Sequence, residues 1–248
     1  CAGDLHGNLW KFDVSASNDG SWDIAFTTSG GGSPTPAPLF TAVDAGGTAQ
    51  PITVRPAVGL HPKGGIMLYF GTGKFFEVGD NVVPLNPPVN SFYGIRDEGD
   101  EVSGRGVLQP QTIQNELYAV SFGSNVFDVR VVSDNTIDYS TQKGWYLDLQ
   151  SPVNGAEGER VVVDPLLRNG RMIFSTLIPS LDTCGFGGTG WLMEVDAVNG
   201  ARFSFSVFDL DGDGLFDDGD YVTLDDGSKV SVDYELVKRK AGWLVFNV

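Results

Sequence analysis

Apolar and polar residues alternate along this chain in short runs, and the runs are bounded by glycine, proline and aspartate. Residues 8–12 (Asn-Leu-Trp-Lys-Phe) read as a strand, and similar aromatic runs recur at 115–120, 144–149 and 190–196. Two hairpins are predicted, one joining 53–59 to 66–73 across the turn 61–65, the other joining 160–164 to 171–176. The 66–73 run is almost continuously apolar, as a strand buried on both faces must be. A final pair joins 229–237 to 242–246. Residues 27–38 and the proline-rich 82–90 read as linkers or exposed loops. No window free of Gly and Pro sustains the i, i+3, i+4 stripe of a helix. The expected fold is therefore all-β, a modified and partial β-propeller with unequal blades and inserted loops.

A chain of 248 residues supports one large β domain or two small ones. The formal charge of -16 repels nucleic acid and anionic membrane surfaces, and it suits a calcium-rich extracellular setting. No apolar run approaches the ~20 residues of a membrane helix. The opening Cys1-Ala2-Gly3-Asp4 passes directly into a strand pattern without a signal peptide, which reads as the start of a C-terminal piece of something longer. Cys1 and Cys184 fit either the single disulfide of an exported protein or two unrelated thiols.

Candidate chemistry concentrates in residues 209–220, DLDGDGLFDDGD. Counted from Asp209, carboxylates fall at the EF-hand positions 3 (Asp211), 5 (Asp213), 9 (Asp217) and 12 (Asp220), with Gly214 at position 6. So many like charges in one loop repel, and a hard dication with oxygen ligands neutralises them. The expected calcium ligands are the side chains of Asp209, Asp211, Asp213, Asp217 and Asp220 and the backbone carbonyl of Leu215. The preceding residues, 202–208, alternate polar and apolar, so the loop is expected to follow a strand rather than a helix.

Other candidates read as structural. His6 and His61 lie in turns without a Ser, Cys or acid at triad spacing, and read as surface residues. Cys184 has no base nearby, and the glycines at 185–190 lack the lysine and helix of a phosphate loop. Trp10, Trp145, Trp191 and Trp243 occupy strand patterns and are expected in the core or at blade interfaces. The Asp225-Asp226-Gly227-Ser228 stretch is a hairpin turn. No catalytic constellation emerges, and an enzyme is not expected.

The strings AGDLHGNLWKFD, RPAVGLHPKGGIMLYFGTGKFF, SFYGIRDE, GWYLDL, GERVVVDPLLRNGRMIFSTLIPS and CGFGGTGWLMEVDAVNGARF resemble, in order, the C-terminal domain of PilY-type proteins, the type IV pilus tip-associated adhesins. The likeness implies a modified β-propeller at the cell surface, on the pilus tip. It also implies roles in pilus biogenesis, twitching motility and cell adhesion, with minor pilins and a host or abiotic surface as partners. A calcium loop on the propeller is linked in that family to pilus extension against retraction. Its pattern falls on Asp209, Asp211, Asp213 and Asp217 with the Leu215 carbonyl; Asp220 enters only by EF-hand spacing. On this likeness residues 1–248 are the C-terminal part of the propeller domain, with an upstream blade, its calcium loop and the N-terminal adhesive region lying outside. No Arg-Gly-Asp occurs. The alternative is a quinoprotein-like propeller enzyme, since GWLMEVDAVNG also resembles blades of that superfamily, which hold a quinone at the hub beside calcium.

Overall fold

The strand Ser91–Asp97 lies at the centre of the molecule, and all seven of its residues are buried. In the computed structural model, which describes residues 1–28, 33–181 and 187–235, this strand pairs antiparallel with Ile66–Gly71 and with Gly144–Asp148. Ala57–Leu60 and Gln109–Gln111 complete a five-stranded sheet, the latter joined in parallel to Gly144–Asp148. Burial on both faces explains the unbroken apolar run at 66–71.

Each face of that sheet receives another sheet. On one side lie Ala2–Gly3, Asn8–Trp10 and Phe40–Thr41, whose Phe40 ring meets Tyr93 edge-on at 5.2 Å. On the other lies a six-stranded sheet in the order Ile113–Phe122, Asn125–Val132, Asp233–Glu235, Trp191–Asp196, Arg171–Ser175, Leu166–Arg168. Its Phe174 stacks on Phe92 at 3.9 Å, and Phe92 in turn stacks on the fully buried Trp145 at 5.8 Å. Successive sheets packed face on face through aromatic side chains are the construction of β-propeller blades. Among the described residues, helix is limited to single 3-10 turns at Asp19–Ser21, Arg105–Val107 and Asp218–Asp220.

Trp145 dictates its neighbours. A Cβ on Gly94 would stand 2.4 Å from the indole, so only glycine lets the ring lie flat on the central strand. Gly94→Ala is expected to cost about 1–3 kcal/mol by overpacking, read as a lower urea midpoint with an unchanged m-value.

Several expected pairings differ in the structure. The partner of Arg171–Ser175 is Leu166–Arg168, turned through Asn169 and Gly170 with left-handed φ of 50° and 76°. The expected strand 160–164 instead bridges sheets: Arg160 exchanges backbone bonds with Leu177, and the Val161 amide donates to the Thr72 carbonyl at 2.9 Å. Residues 202–208 form no strand, although Phe203 and Phe205 do fall together, ring centres 5.0 Å apart. Their backbone is held by side chains instead, as where Ser231 Oγ donates to the Phe203 carbonyl at 2.6 Å. Part of the expected linker 27–38 is strand, Phe26–Thr28 pairing with Thr35–Ala37. Lys229–Val230 pairs with Val222–Thr223 across the expected turn at 225–228. Trp243 and the expected strand 242–246 lie outside the described residues. Cys1 is exposed and free, and Cys184 lies outside the described residues.

Candidate metal centre

After the strand Trp191–Asp196 the chain leaves the sheet and returns as Asp233–Glu235, threaded between Asn125–Val132 and Trp191–Asp196. Between the two, Leu210, Val222, Val230 and Val232 are buried against Phe122, Val129 and Val131 of the sheet. This small apolar core anchors both sides of the aspartate loop, so its carboxylates are presented from a braced frame.

Inside the loop each early aspartate bends the backbone that follows it. Asp209 Oδ1 accepts from the Gly212 amide at 2.8 Å and its Oδ2 from Gly214 at 3.0 Å. Asp211 Oδ1 accepts from the Asp213 amide at 3.1 Å, and Asp213 Oδ1 from the Leu215 amide at 2.7 Å. These Asx-type bonds need left-handed backbone at Gly212 and Gly214, with φ of 79° and 86°. The result brings carboxylate oxygens of Asp209, Asp211 and Asp213 within 4.8 Å of one another. The Asp213 amide pulls the Asp211 carboxyl down, but desolvation and the charges of Asp213, Asp220 and Asp209 push it up, and the net shift is upward.

Asp217 and Asp220 stand outside that trio and do different work. Asp217 caps the 3-10 turn, its Oδ1 accepting from the Gly219 amide at 2.8 Å. Asp220 is 1 % exposed. It ties the loop's two ends together, accepting from Leu210 at 2.6 Å through Oδ1 and from Asp217 at 3.1 Å through Oδ2. The Leu215 side chain is exposed. A trio of convergent anionic oxygen donors, Asp209 and Asp213 exposed and Asp211 half-buried, could hold a hard cation, and contains no nitrogen or sulfur that would favour zinc.

Sequence reasoning missed two supports of this region. The Asn125 side-chain Nδ2 donates to the Leu210 carbonyl at 3.0 Å, and Gly123 lies against Asp211, where a Cβ would come 3.3 Å from that of Asp211. Both belong to a hairpin distant in sequence, and no local motif announces them. Sequence reasoning also missed a buried ionic cluster. Arg130, fully buried, donates from Nε to Glu116 Oε1 at 2.7 Å and from Nη1 and Nη2 to Glu159 at 2.6 and 2.8 Å. Its guanidinium lies 4.0 Å from the Trp191 ring centre.

The remaining candidates fall away from the trio. His6 is exposed, but His61 is only 5 % exposed and corrects the expectation of a surface residue. Arg96 donates to the Lys63 and Gly64 carbonyls at 2.9 Å, folding the turn so that the imidazole lies 4.2 Å from the Tyr139 ring. Burial pushes the His61 pKa down, which keeps it neutral. Trp145 and Trp191 are buried, and Trp10 is half-buried with its Nε1 donating to Asp4 at 2.9 Å. Among the described residues no helix is long and apolar enough to cross a membrane.

Comparison with known proteins agrees with this architecture. The family model of the PilY1 beta-propeller domain matches residues 1–123. The type IV pilus biogenesis factor PilY1 homolog of Xylella fastidiosa is 38% identical over 199 residues, 79% of this chain and 13% of that protein. The type IV pilus biogenesis factor PilY1 of Pseudomonas aeruginosa is 36% identical over 245 residues, 87% of this chain and 20% of that protein. The chain thus spans a fifth or less of these relatives. The crystal structure of the Pseudomonas aeruginosa PilY1 C-terminal domain superposes with a TM-score of 0.80 at 28% identity, over 94% of this chain and 50% of that one. With the family model matched, the identity to these relatives and the superposition on the solved domain, the chain belongs to the PilY1 β-propeller family, as a PilY1-type C-terminal domain.

Proposed function

We propose that this domain is the calcium-binding β-propeller module of a type IV pilus tip protein at the cell surface. It serves pilus biogenesis, the balance of extension and retraction, and surface adhesion, and it does no chemistry of its own. The observation that carries the reading is the convergence of the Asp209, Asp211 and Asp213 carboxylates on a loop anchored at both ends. Asp217, Asp220 and the Leu215 carbonyl complete the ligand set as the ion draws the loop closed. Relatives named as pilus biogenesis factors support the setting, and minor pilins at the tip are the partners in this reading. They also weigh against a quinoprotein enzyme.

The physical logic is neutralisation. Without a cation the loop concentrates negative charge whose repulsion opposes its closure; with one, the loop becomes a rigid surface for a partner. Calcium at a hundred times its Kd stabilises the folded state by about 2.7 kcal/mol, roughly a 5–11 °C rise in Tm for a domain of this size. Asp213→Ala is expected to abolish the rise while leaving the calcium-free Tm nearly unchanged, because the Asp213 side chain is exposed and accepts a single bond from Leu215. Calorimetric scans of both proteins in calcium and in chelator test this, and superimposable wild-type scans would remove the reading.

A further inference from the structure

The six-stranded sheet ends in the hairpin of Leu166–Arg168 and Arg171–Ser175, and on it lies a groove that sets two arginines beside two phenylalanines. Arg168 and Arg171 stand directly opposite each other, a pairing of like charges that disfavours the hairpin unless an anion is shared between them. Arg171 Nη1 is 2.8 Å from Glu194 Oε1, and its guanidinium lies 5.8 and 5.5 Å from the ring centres of Phe203 and Phe205. Arg168 is exposed and, among the described residues, makes no ion pair. The chain carries a formal charge of -16, so a cation left unanswered in so acidic a protein stands out. The groove has a volume of about 460 Å³ and is walled by Ile173 and the two phenylalanines; Phe205 is 45% exposed. The outer edge of Leu166–Arg168 has no strand partner among the described residues.

We propose that this groove docks an extended, acidic segment of a partner protein. A carboxylate of the segment sits between Arg168 and Arg171, and a neighbouring apolar side chain lies on Phe203 and Phe205. The open edge at Leu166–Arg168 supplies main-chain donors and acceptors for a segment in extended conformation. Charge complementarity selects the occupant. Acidic segments are repelled by the protein's net charge elsewhere and find their counter-ions here, so repulsion outside the groove fixes where such a segment lands. A free anion would use the arginines alone; the aromatic wall and the unpaired edge call for an apolar side chain and a backbone. None of the aspartate-loop carboxylates takes part, so the inference stands apart from the calcium reading.

Fluorescence anisotropy tests it with a short labelled peptide alternating Glu with Leu and Phe, titrated with the whole chain in calcium, beside a control peptide carrying Lys in place of Glu. The Glu peptide should bind saturably and the Lys peptide should not. Arg168→Glu should weaken binding at least about tenfold, as expected for loss of a charge-assisted contact. Phe205→Ala should weaken it as well and keep the wild-type Tm, and Arg168→Glu, which replaces a like-charge pair with an opposite-charge one, should not lower the Tm. Absence of saturable binding, equal binding of the Lys peptide, or unchanged affinity in Arg168→Glu would overturn the proposal. So would displacement of the peptide by polygalacturonate that itself binds saturably, which would mark the groove as a site for an acidic saccharide.

Discussion

Arg130→Ala is expected to destabilise the domain by about 3–5 kcal/mol, the size seen when one partner of a buried ion pair is removed and the other charge is stranded. Arg130 joins Glu116 on the neighbouring strand to Glu159 on the segment that crosses between sheets. Without it, two carboxylates that are each about 1 % exposed at the side chain face each other without a cation. Glu116 keeps bonds from Ser151 Oγ at 2.6 Å and Tyr118 Oη at 2.9 Å, which soften the loss without replacing the charge. Urea denaturation reads the effect as a lower midpoint. The triple replacement Arg130→Met, Glu116→Gln, Glu159→Gln removes the charges together and should recover much of the loss. A single Arg130→Ala loss below about 1 kcal/mol would show that the cluster carries little stability.

The second large effect is on pH. Burial pushes the Asp233 carboxyl up to about 8, helped by the charge of Glu194 and opposed by the Glu194 amide that it accepts at 2.6 Å and by Arg130. Burial, with Asp128 beside it, likewise pushes Glu235 up to about 7. An acid whose folded-state pKa is raised holds its proton in the fold and gives it up in the unfolded chain. Stability therefore falls as pH rises from about 4 towards about 8, at up to about 1.4 kcal/mol per pH unit for each proton, and is level above that window. Because Asp233–Glu235 is the strand that returns the aspartate loop to the sheet, hydrogen exchange in residues 201–232 should quicken over the same range. Asp233→Asn keeps the acceptor for the Glu194 amide and removes the titration, so its stability should vary less with pH. Parallel pH profiles of wild type and variant would contradict the assignment.

What was legible in the sequence was whatever one strand or one turn encodes by itself. Alternating and continuous apolar runs marked the strands at 8–10, 66–71, 144–148 and 191–196, because burial of one or both faces writes itself into side-chain order. The aspartate loop was legible for the same reason: its Asx bonds span two to five residues. The alternation at 202–208 misled, since Phe203 and Phe205 share a groove without any ladder to join. Arg130 was invisible. It sits between Val129 and Val131 in an alternating run, and Glu116, Glu159 and Trp191, which enclose it, come from segments distant in sequence.

By itself, then, the order of residues determined the all-β class, the family blocks and the carboxylate spacing at 209–220, all set by interactions between near neighbours. The tertiary structure alone decided that Leu166–Arg168, rather than 160–164, pairs with Arg171–Ser175, that His61 and Arg130 are buried, and that Asp233–Glu235 closes the sheet over the loop. The physical reason is that burial and charge pairing depend on which surfaces meet, and those surfaces come from segments far apart in the chain, whose meeting no local pattern records.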